Sequence, residues 1–228
     1  MRTTTKHLTV FGATGATGNH VVRSALAAGH TVTAVARNPA RLPTSHERLR
    51  TVRGDVLDRP SLETSMDSAD AVVSALGGGS GREPTTVYSA GVANILDVMV
   101  QASVDRFVGI SALPVTPRQE VAAMHRLVIF PVLYRFFGES YADMARMEHL
   151  LAQSTAAWTV MRPPRLTNGR ATGHYRTALN EQLPRAGKDL QGGPGRRYAA
   201  VPRKALHRAS RGDHRVLSLP YVRPGRQR

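Results

Sequence analysis

Short apolar runs alternate with amphipathic segments along the first 160 residues of the chain. The runs are rich in β-branched side chains and predict buried strands at 7–11, 31–36, 49–53, 71–75, 107–111 and 158–162. Between them, apolar residues recur at helical spacing and predict helices at 19–28, 61–66, 86–102 and 141–153. This alternation predicts an α/β fold, a doubly wound parallel sheet of the Rossmann type with helices on both faces.

Two later regions depart from this alternation. Residues 118–138 are apolar without a regular period, which predicts a lid or a broken helix. The alternatives are a lid that faces a substrate and plain core packing. From about Lys188 the chain is dense in Gly, Pro and Arg, with only a weak strand pattern at 216–221. We therefore predict a single domain over 1–187 and a basic, loosely packed or disordered tail over 188–228.

The charge of the chain is large but unevenly spread. The 228 residues carry a formal net charge of +15, and 185–228 hold 12 of the 31 lysines and arginines but only 2 of the 16 acidic residues. The body is thus only mildly basic, as a binder of phosphorylated cofactors can be, and we expect no nucleic-acid partner. The chain has no cysteine, which excludes disulfides and thiolate metal sites, and we expect no metal.

The ends and the apolar runs bear on location. The N-terminus is short and polar, which is not the pattern of a signal peptide. The most apolar run, 127–134, is too short to cross a bilayer. We expect a cytoplasmic protein without a membrane partner, present as a monomer or weak dimer.

The strongest chemical motif lies between the first predicted strand and the first predicted helix. Residues 12–18 read Gly-Ala-Thr-Gly-Ala-Thr-Gly. The first glycine permits a tight turn, the second lets the backbone approach a pyrophosphate, and the third lets helix and strand pack closely. The helix N-terminus adds free N–H groups and a positive dipole end. The motif predicts a dinucleotide site, and the alternative is a tight turn without a ligand.

The type of cofactor is indicated at the end of the second predicted strand. NAD-specific sites usually place an acidic residue there to bond the ribose 2′-hydroxyl. This chain has Arg37 instead, with Arg41 one helical turn later. Two guanidiniums match a 2′-phosphate in charge and geometry, which predicts NADPH as the cofactor. The alternative is a pair of solvated surface arginines.

Residues after the later strands extend this site. Asp55 and Val56 follow the third strand, where the adenine would lie, and Gly77 and Gly78 follow the fourth, where the backbone would pass close to the cofactor. Ser111 ends the fifth strand at the carboxyl edge of the sheet. A serine there is more often a hydrogen-bonding positioner than a nucleophile, because no histidine–acid pair is evident to activate it.

These segments resemble the atypical short-chain dehydrogenase/reductases with an NmrA-like or NAD(P)H-binding domain, nearest to the biliverdin-IXβ reductase and NADPH flavin reductase branch. The resemblance covers about four-fifths of the chain and is carried by residues 11–18, Arg37 with Arg41, and residues 54–57, 84–87, 94–95, 110–112 and 161–164.

The resemblance implies a set of residues that line NADPH: Gly12, Thr14, Gly15, Ala16, Thr17, Arg37, Arg41, Asp55, Val56, Leu76, Gly77 and Gly78. It implies that Ser111 lies near the nicotinamide, with Pro163 and Pro164 as the wall behind it. It also implies an NADPH-dependent reductase that passes hydride to a small planar substrate such as a flavin, quinone, tetrapyrrole or aromatic metabolite. The alternative is a non-catalytic NADP(H)-sensing regulatory or interaction protein, as some NmrA-like relatives are.

One departure from the short-chain dehydrogenase pattern concerns the Tyr-x-x-x-Lys pair. Tyr141 is present, but Ala145 stands where the lysine would be, so no lysine lowers the pKa of the tyrosine. Tyr141 is kept with Ser111 as a candidate catalytic residue. Arg146 is a candidate contact to substrate or phosphate, or an exposed helix-face arginine, and Arg165 is a candidate for an anionic substrate group.

The tail raises a separate hypothesis. The family continues at this point with Ile-Ser-Arg-Ala-Asp-Leu-Ala, which opens a helix on the substrate side. Back-translation of residues 189–195 with GC-rich codons, read one base later, can yield that motif. The hypothesis is that residues 189–228 are a frameshifted end, and the coding DNA decides it.

Overall fold

The computed structural model describes residues 5–77, 84–112, 115, 130–163, 178–179 and 215–218. The strands are β1 (His7–Phe11), β2 (Thr31–Ala36), β3 (Leu49–Arg53), β4 (Ala71–Ser74), β5 (Arg106–Ile110), β6 (Ala157–Arg162), β7 (Ala178–Leu179) and β8 (Arg215–Ser218). The α-helices are α1 (Ala16–Ala27), α2 (Ser89–Gln101) and α3 (Phe130–Gln153). Two 3-10 helices span Pro39–Arg41 and Arg59–Met66.

The strands form one sheet in the order β3-β2-β1-β4-β5-β6-β8-β7. Every pairing is parallel except that of β7 with β8. From β1 the chain adds β2 and β3 on one side of the sheet, and it then returns to place β4, β5 and β6 on the other side of β1. A parallel sheet opens a crevice at the carboxyl ends of its strands where the order reverses, and ligands bind there. The predicted Rossmann-type fold is confirmed.

Helices cover both faces of the sheet. On one face, α1 packs Val21, Val22 and Leu26 against β1 and β2 in a single buried cluster. On the other, a larger cluster joins α2, α3 and the second 3-10 helix, with Ile95 and Leu151 among its fully buried members. The apolar stripes of the helices and the continuous apolar runs of the strands account for this sandwich.

Two predicted helices differ from the observed elements. Helix α3 begins at Phe130, although the sequence pattern predicts its start at residue 141. Its first turns expose apolar residues by 39–56%, namely Val132, Tyr134, Phe136 and Phe137, so they form no single buried stripe and show no helical period. The segment predicted as a helix over 61–66 is a 3-10 helix with a proline in its first turn.

Part of the basic tail belongs to the sheet. Strand β8 pairs in parallel with β6, with Val160 opposite Val216, which confirms the weak strand pattern near that position. The other tail residues lie outside the described part of the chain. Their packing, the domain boundary near residue 187 and the shifted reading frame stay predictions.

Candidate functional site

Six strands of the sheet bring the predicted site residues to one edge. The Ala75 N–H bonds to the Phe11 carbonyl at 3.0 Å, so the turn after β1 and the segment after β4 lie side by side. Reading across the sheet from β3 to β6, the carboxyl ends present Asp55, Arg37, Gly12, Leu76, Ser111 and Pro163. Gly78 and Pro164, also predicted for the site, lie outside the described residues.

The glycine turn after β1 has no room for side chains at its two ends. Gly12 has a φ of +71°, and a Cβ placed on it would lie 2.4 Å from the Ala75 carbonyl oxygen. A Cβ on Gly18 would lie 2.1 Å from the Gly12 carbonyl oxygen. Both contacts are far inside van der Waals range, so β1, β4 and α1 meet at this turn only because both residues are glycine.

The N-terminus of α1 is open toward the crevice. Its N-cap residue, Gly15, is extended and offers no side-chain cap. Thr14, Gly15 and Ala16 are exposed, and Thr17 is half-buried. The first-turn N–H groups of a helix have no partner within the helix, and here no acidic side chain occupies the first turn. This end of the helix fits a pyrophosphate.

Arg37 and Arg41 are held on a capped turn. Arg37 directly follows β2, and Arg41 ends the first 3-10 helix. The Asn38 Oδ1 accepts the Ala40 N–H at 3.2 Å and fixes the turn between them. Both arginines are exposed, and neither makes an ion pair with any residue that the structure describes. Two guanidiniums without a protein carboxylate suit a phosphate.

Asp55 and Val56 build the wall of the crevice at β3. The Asp55 Oδ1 accepts the Leu57 N–H at 3.0 Å, so this carboxylate holds its own turn. The Val56 carbonyl accepts the Asn94 side-chain amide at 2.8 Å. A Cβ on Gly91 would lie 2.9 Å from Val56 and 3.4 Å from Leu76. Helix α2 therefore sets the position of both apolar residues.

Gly91 and Asn94 are supporting residues that the sequence does not mark as part of the site. A glycine inside a helix costs roughly 1 kcal/mol relative to alanine, which is a signal that something lies close to its backbone. Gly77, by contrast, has no atom of a described residue within 4 Å of an added Cβ and is exposed. It therefore faces open space at the crevice.

Ser111 is buried at the end of β5. Its N–H bonds to the Met161 carbonyl at 2.9 Å, and the residue is 3% exposed. Its hydroxyl has no hydrogen-bond partner among the described residues. Buried hydroxyls are almost always bonded, so one left free at the ligand-binding edge points to a ligand. Pro163 is also buried, one residue beyond β6.

Tyr141 lies in an aromatic group on α3. Its ring centroid is 5.3 Å from that of Tyr134 and 6.1 Å from that of Phe137. Burial, with smaller contributions from Tyr134 and Tyr88, raises the pKa of Tyr141 above its ordinary value. This direction is opposite to the one that a neighbouring lysine would give, so Tyr141 keeps its proton more firmly than a free tyrosine.

Asp143 holds the start of α2, the helix that positions Val56 and Leu76 in the candidate site. The sequence pattern does not predict this role. Asp143 is fully buried, and its Oδ2 accepts the Tyr88 N–H at 2.8 Å and the Ser89 N–H at 3.3 Å. Its Oδ1 accepts the Ser89 hydroxyl. A carboxylate on α3 thus caps the N-terminus of α2, where unpaired N–H groups favour negative charge. The partners are 54 and 55 residues apart, so no local pattern marks the contact.

Arg146 binds Asp143, the carboxylate that caps α2. Its Nη2 donates to Asp143 Oδ1 and to the Thr85 carbonyl, both at 3.2 Å, and its side chain is 53% exposed. Arg146 is therefore an arginine on an exposed helix face that also binds a buried carboxylate. Arg165 lies outside the described residues.

Arg162 and Glu148 join β6 to α3. The Arg162 Nε donates to Glu148 Oε1 at 3.1 Å, and Nη2 donates to Oε2. Their side chains are 12% and 13% exposed, so both partners of this bidentate pair are mostly buried.

The described residues lack two features, a metal-binding cluster and a helix that could span a membrane. No group of three or more histidine, aspartate or glutamate side chains is arranged there to hold a metal ion. Likewise, no described helix has the length and apolarity needed to cross a membrane.

Comparison with known proteins places the chain in its family. The family model described as NAD(P)H-binding matches residues 12–191. An uncharacterized chloroplastic protein of Arabidopsis thaliana is 31% identical over 179 residues, which are 75% of this chain. The chain spans only 62% of the length of that relative.

Solved structures share the fold. A short-chain dehydrogenase/reductase from Veillonella parvula, in complex with NADP, superposes with a TM-score of 0.69 at 17% identity over 95% of this chain and 94% of its own. ChuY, named an anaerobillin reductase, from Escherichia coli O157:H7 gives a TM-score of 0.68 at 18% identity over 96% of this chain and 100% of its own. The predicted NAD(P)H-binding family is confirmed, while the nearness to biliverdin-IXβ reductase stays a prediction.

Proposed function

This chain belongs to the NAD(P)H-binding family, and we propose that it is an NADPH-dependent reductase that passes hydride to a planar conjugated acceptor, such as a flavin, quinone, tetrapyrrole or aromatic metabolite. The observation that carries the proposal is the buried Ser111 hydroxyl at the carboxyl end of β5, which bonds to none of the residues that the structure describes. Leaving a hydroxyl buried and unbonded costs about 1–3 kcal/mol, which a bound ligand would offset.

The nucleotide end of the site supports NADPH rather than NADH. The first-turn N–H groups of α1 would hold the pyrophosphate, while the Gly15 N–H already bonds to the Gly12 carbonyl at 3.0 Å. Val56 with Leu76 would flank the adenine. Arg37 and Arg41 are exposed and are free of ion pairs with the described residues, so they would bind a 2′-phosphate.

At the other end of the site, the residues of the chain act by positioning. NADPH, when bound, supplies the hydride. Ser111 would donate its hydroxyl proton in a hydrogen bond to the nicotinamide amide or the acceptor, and Pro163 would close the site behind them. Tyr141, with its raised pKa, would donate a hydrogen bond without giving up its proton. The proton that completes the reduction would then come from solvent.

The fold analogy agrees with a conjugated acceptor. ChuY is named an anaerobillin reductase. At 18% identity the likeness extends to the fold alone, so it is compatible with this class of reaction and leaves the acceptor open.

The test is NADPH oxidation, followed at the absorbance of the reduced nicotinamide, against flavins, quinones and biliverdin. We expect slow turnover, lowered about tenfold by Ser111→Ala with nearly unchanged NADPH affinity. Ser65→Ala is the matched control, because Ser65 is also buried but its hydroxyl is bonded to the Leu62 carbonyl. Tight NADPH binding without turnover across the panel would instead favour an NADP(H) sensor.

A further inference from the structure

The carboxyl ends of β5 and β6 carry a polar pair that the cofactor does not account for. Ile110 pairs with Met161, so the next residues, Ser111 and Arg162, are neighbours across the two strands. Met161 packs in the cluster on the α1 face. Because side chains alternate along a strand, Arg162 lies on the opposite face, which α3 covers. Continuing the register places Ser111 on that same face.

Glu148 fixes Arg162 by one edge of its guanidinium. The bonds run through Nε and Nη2, and no described residue bonds to Nη1. A guanidinium is a planar fork of N–H donors, so this one keeps donors on its second edge. Glu148 therefore aligns Arg162 before any ligand binds. The buried Ser111 hydroxyl, which bonds to no described residue, lies on the neighbouring strand.

The charge of the pair selects the ligand. Glu148 neutralises Arg162, and both are mostly buried. A carboxylate placed against them would leave a net negative charge in a site of low polarity, which is costly. A neutral carbonyl oxygen accepts the same hydrogen bonds without that cost. If negative charge grows on this oxygen during reduction, the donors stabilise it more in the transition state than in the ground state.

We propose that Arg162, oriented by Glu148, is a specificity-determining residue that joins Ser111 in binding a carbonyl oxygen of the acceptor, and that the acceptor is a neutral quinone. The inference rests on the proposed reductase function and narrows it. FMN and biliverdin are anionic, through a phosphate and through propionates, and a neutral quinone is not. The quinone gains one hydride from NADPH and one proton from water, so the products are the hydroquinone and NADP⁺.

Binding without turnover tests the inference directly. Calorimetry measures the affinity of 2-methyl-1,4-naphthoquinone for the protein saturated with NADP⁺, which cannot reduce it. The double variant Arg162→Gln/Glu148→Gln keeps two side chains of similar size and buries no single charge. We expect about tenfold weaker binding. The control, Arg50→Gln/Asp67→Asn, removes an exposed ion pair between β3 and the residue after the second 3-10 helix, and it should leave the affinity unchanged.

A variant that changes the charge at Arg162 distinguishes a role in acceptor recognition from a role in stabilising the fold. Glu148→Gln alone leaves the Arg162 charge uncompensated. It should shift preference by about tenfold toward 1,4-naphthoquinone-2-sulfonate over the neutral quinone. A structural role would change both affinities alike. In turnover, the double variant should lower kcat more than it raises KM, by about a hundredfold against about tenfold.

The outcomes are distinct. If the NADP⁺ complex binds neither quinone, or if Glu148→Gln leaves the preference between them unchanged, the role of Arg162 is wrong. This second comparison needs only the single variant, so it holds even where the double variant does not fold. If both quinones bind as expected but no acceptor oxidises NADPH, the reductase function fails and the carbonyl site stands.

Discussion

Two sides of the molecule are held together by different kinds of contact: the nucleotide side, built by β1 and α1, and the side proposed to bind the acceptor, built by β6, α2 and α3 and called the acceptor side below. On the nucleotide side, between β1 and α1, backbone presses on backbone: Gly18 lies against Gly12 six residues earlier. On the acceptor side, charged side chains on α3 reach other elements: Asp143 bonds to Ser89, and Glu148 to Arg162. The first kind of contact requires residues at fixed spacing, and the second requires only that two partners meet in space.

The largest loss of stability is expected from a change on the nucleotide side, at Gly18. Gly18→Ala places a Cβ 2.1 Å from the Gly12 carbonyl oxygen, so the turn or α1 must move. We expect a loss of about 3 kcal/mol in the free energy of unfolding, measured with urea, together with loss of NADPH binding. Gly138→Ala is the matched control in α3, where the nearest atom to the new Cβ is 3.8 Å away, and it should stabilise by about 0.5–1 kcal/mol. Equal effects of the two changes would contradict the account.

A smaller loss of stability is expected from a change on the acceptor side, at Asp143. Asp143→Ala leaves the first N–H groups of α2 without their cap and should lower the free energy of unfolding by about 2 kcal/mol. Asp67→Ala removes an exposed partner of Arg50 and should cost less than about 0.5 kcal/mol. Urea unfolding of both variants compares them, and a loss from Asp143→Ala no larger than that from Asp67→Ala would show that the cap is not needed.

The smallest effect on the free energy of unfolding is expected from Arg37→Ala, which should change cofactor binding and leave folding nearly unaffected. Arg37 is exposed and forms no ion pair with the described residues, so Arg37→Ala should leave the free energy of unfolding nearly unchanged. We expect the unmodified protein to prefer NADPH over NADH by at least about tenfold, since a charge-assisted contact contributes roughly 1.5–3 kcal/mol. Arg37→Ala should remove most of that preference in a fluorescence titration with both cofactors. Equal affinities in the unmodified protein would show that Arg37 and Arg41 do not bind a 2′-phosphate.

The same contrast explains what the sequence could predict. The predicted strand 107–111 differs by one residue from the observed Arg106–Ile110, because a buried strand is a continuous apolar run. The glycine turn was predicted residue by residue, since its sterics act between near neighbours. The start of α3 was not predicted, because its exposed apolar turns lack a buried stripe. Asp143 and Arg162 were missed as well, because a polar residue shows its partner only when the chain has folded.

The crowded glycine turn has a consequence for how such proteins diverge. Gly12 and Gly18 are required by the joint of β1, β4 and α1, whether or not a nucleotide ever enters the crevice. A descendant that lost its activity would still need both glycines in order to fold. Arg37 and Ser111 are under no such constraint, since the described chain gives the Arg37 guanidinium no ion pair and the Ser111 hydroxyl no hydrogen bond. Within a family, retention of the two glycines therefore indicates only that the fold is kept. Retention of Arg37 and Ser111 indicates selection for cofactor binding and catalysis.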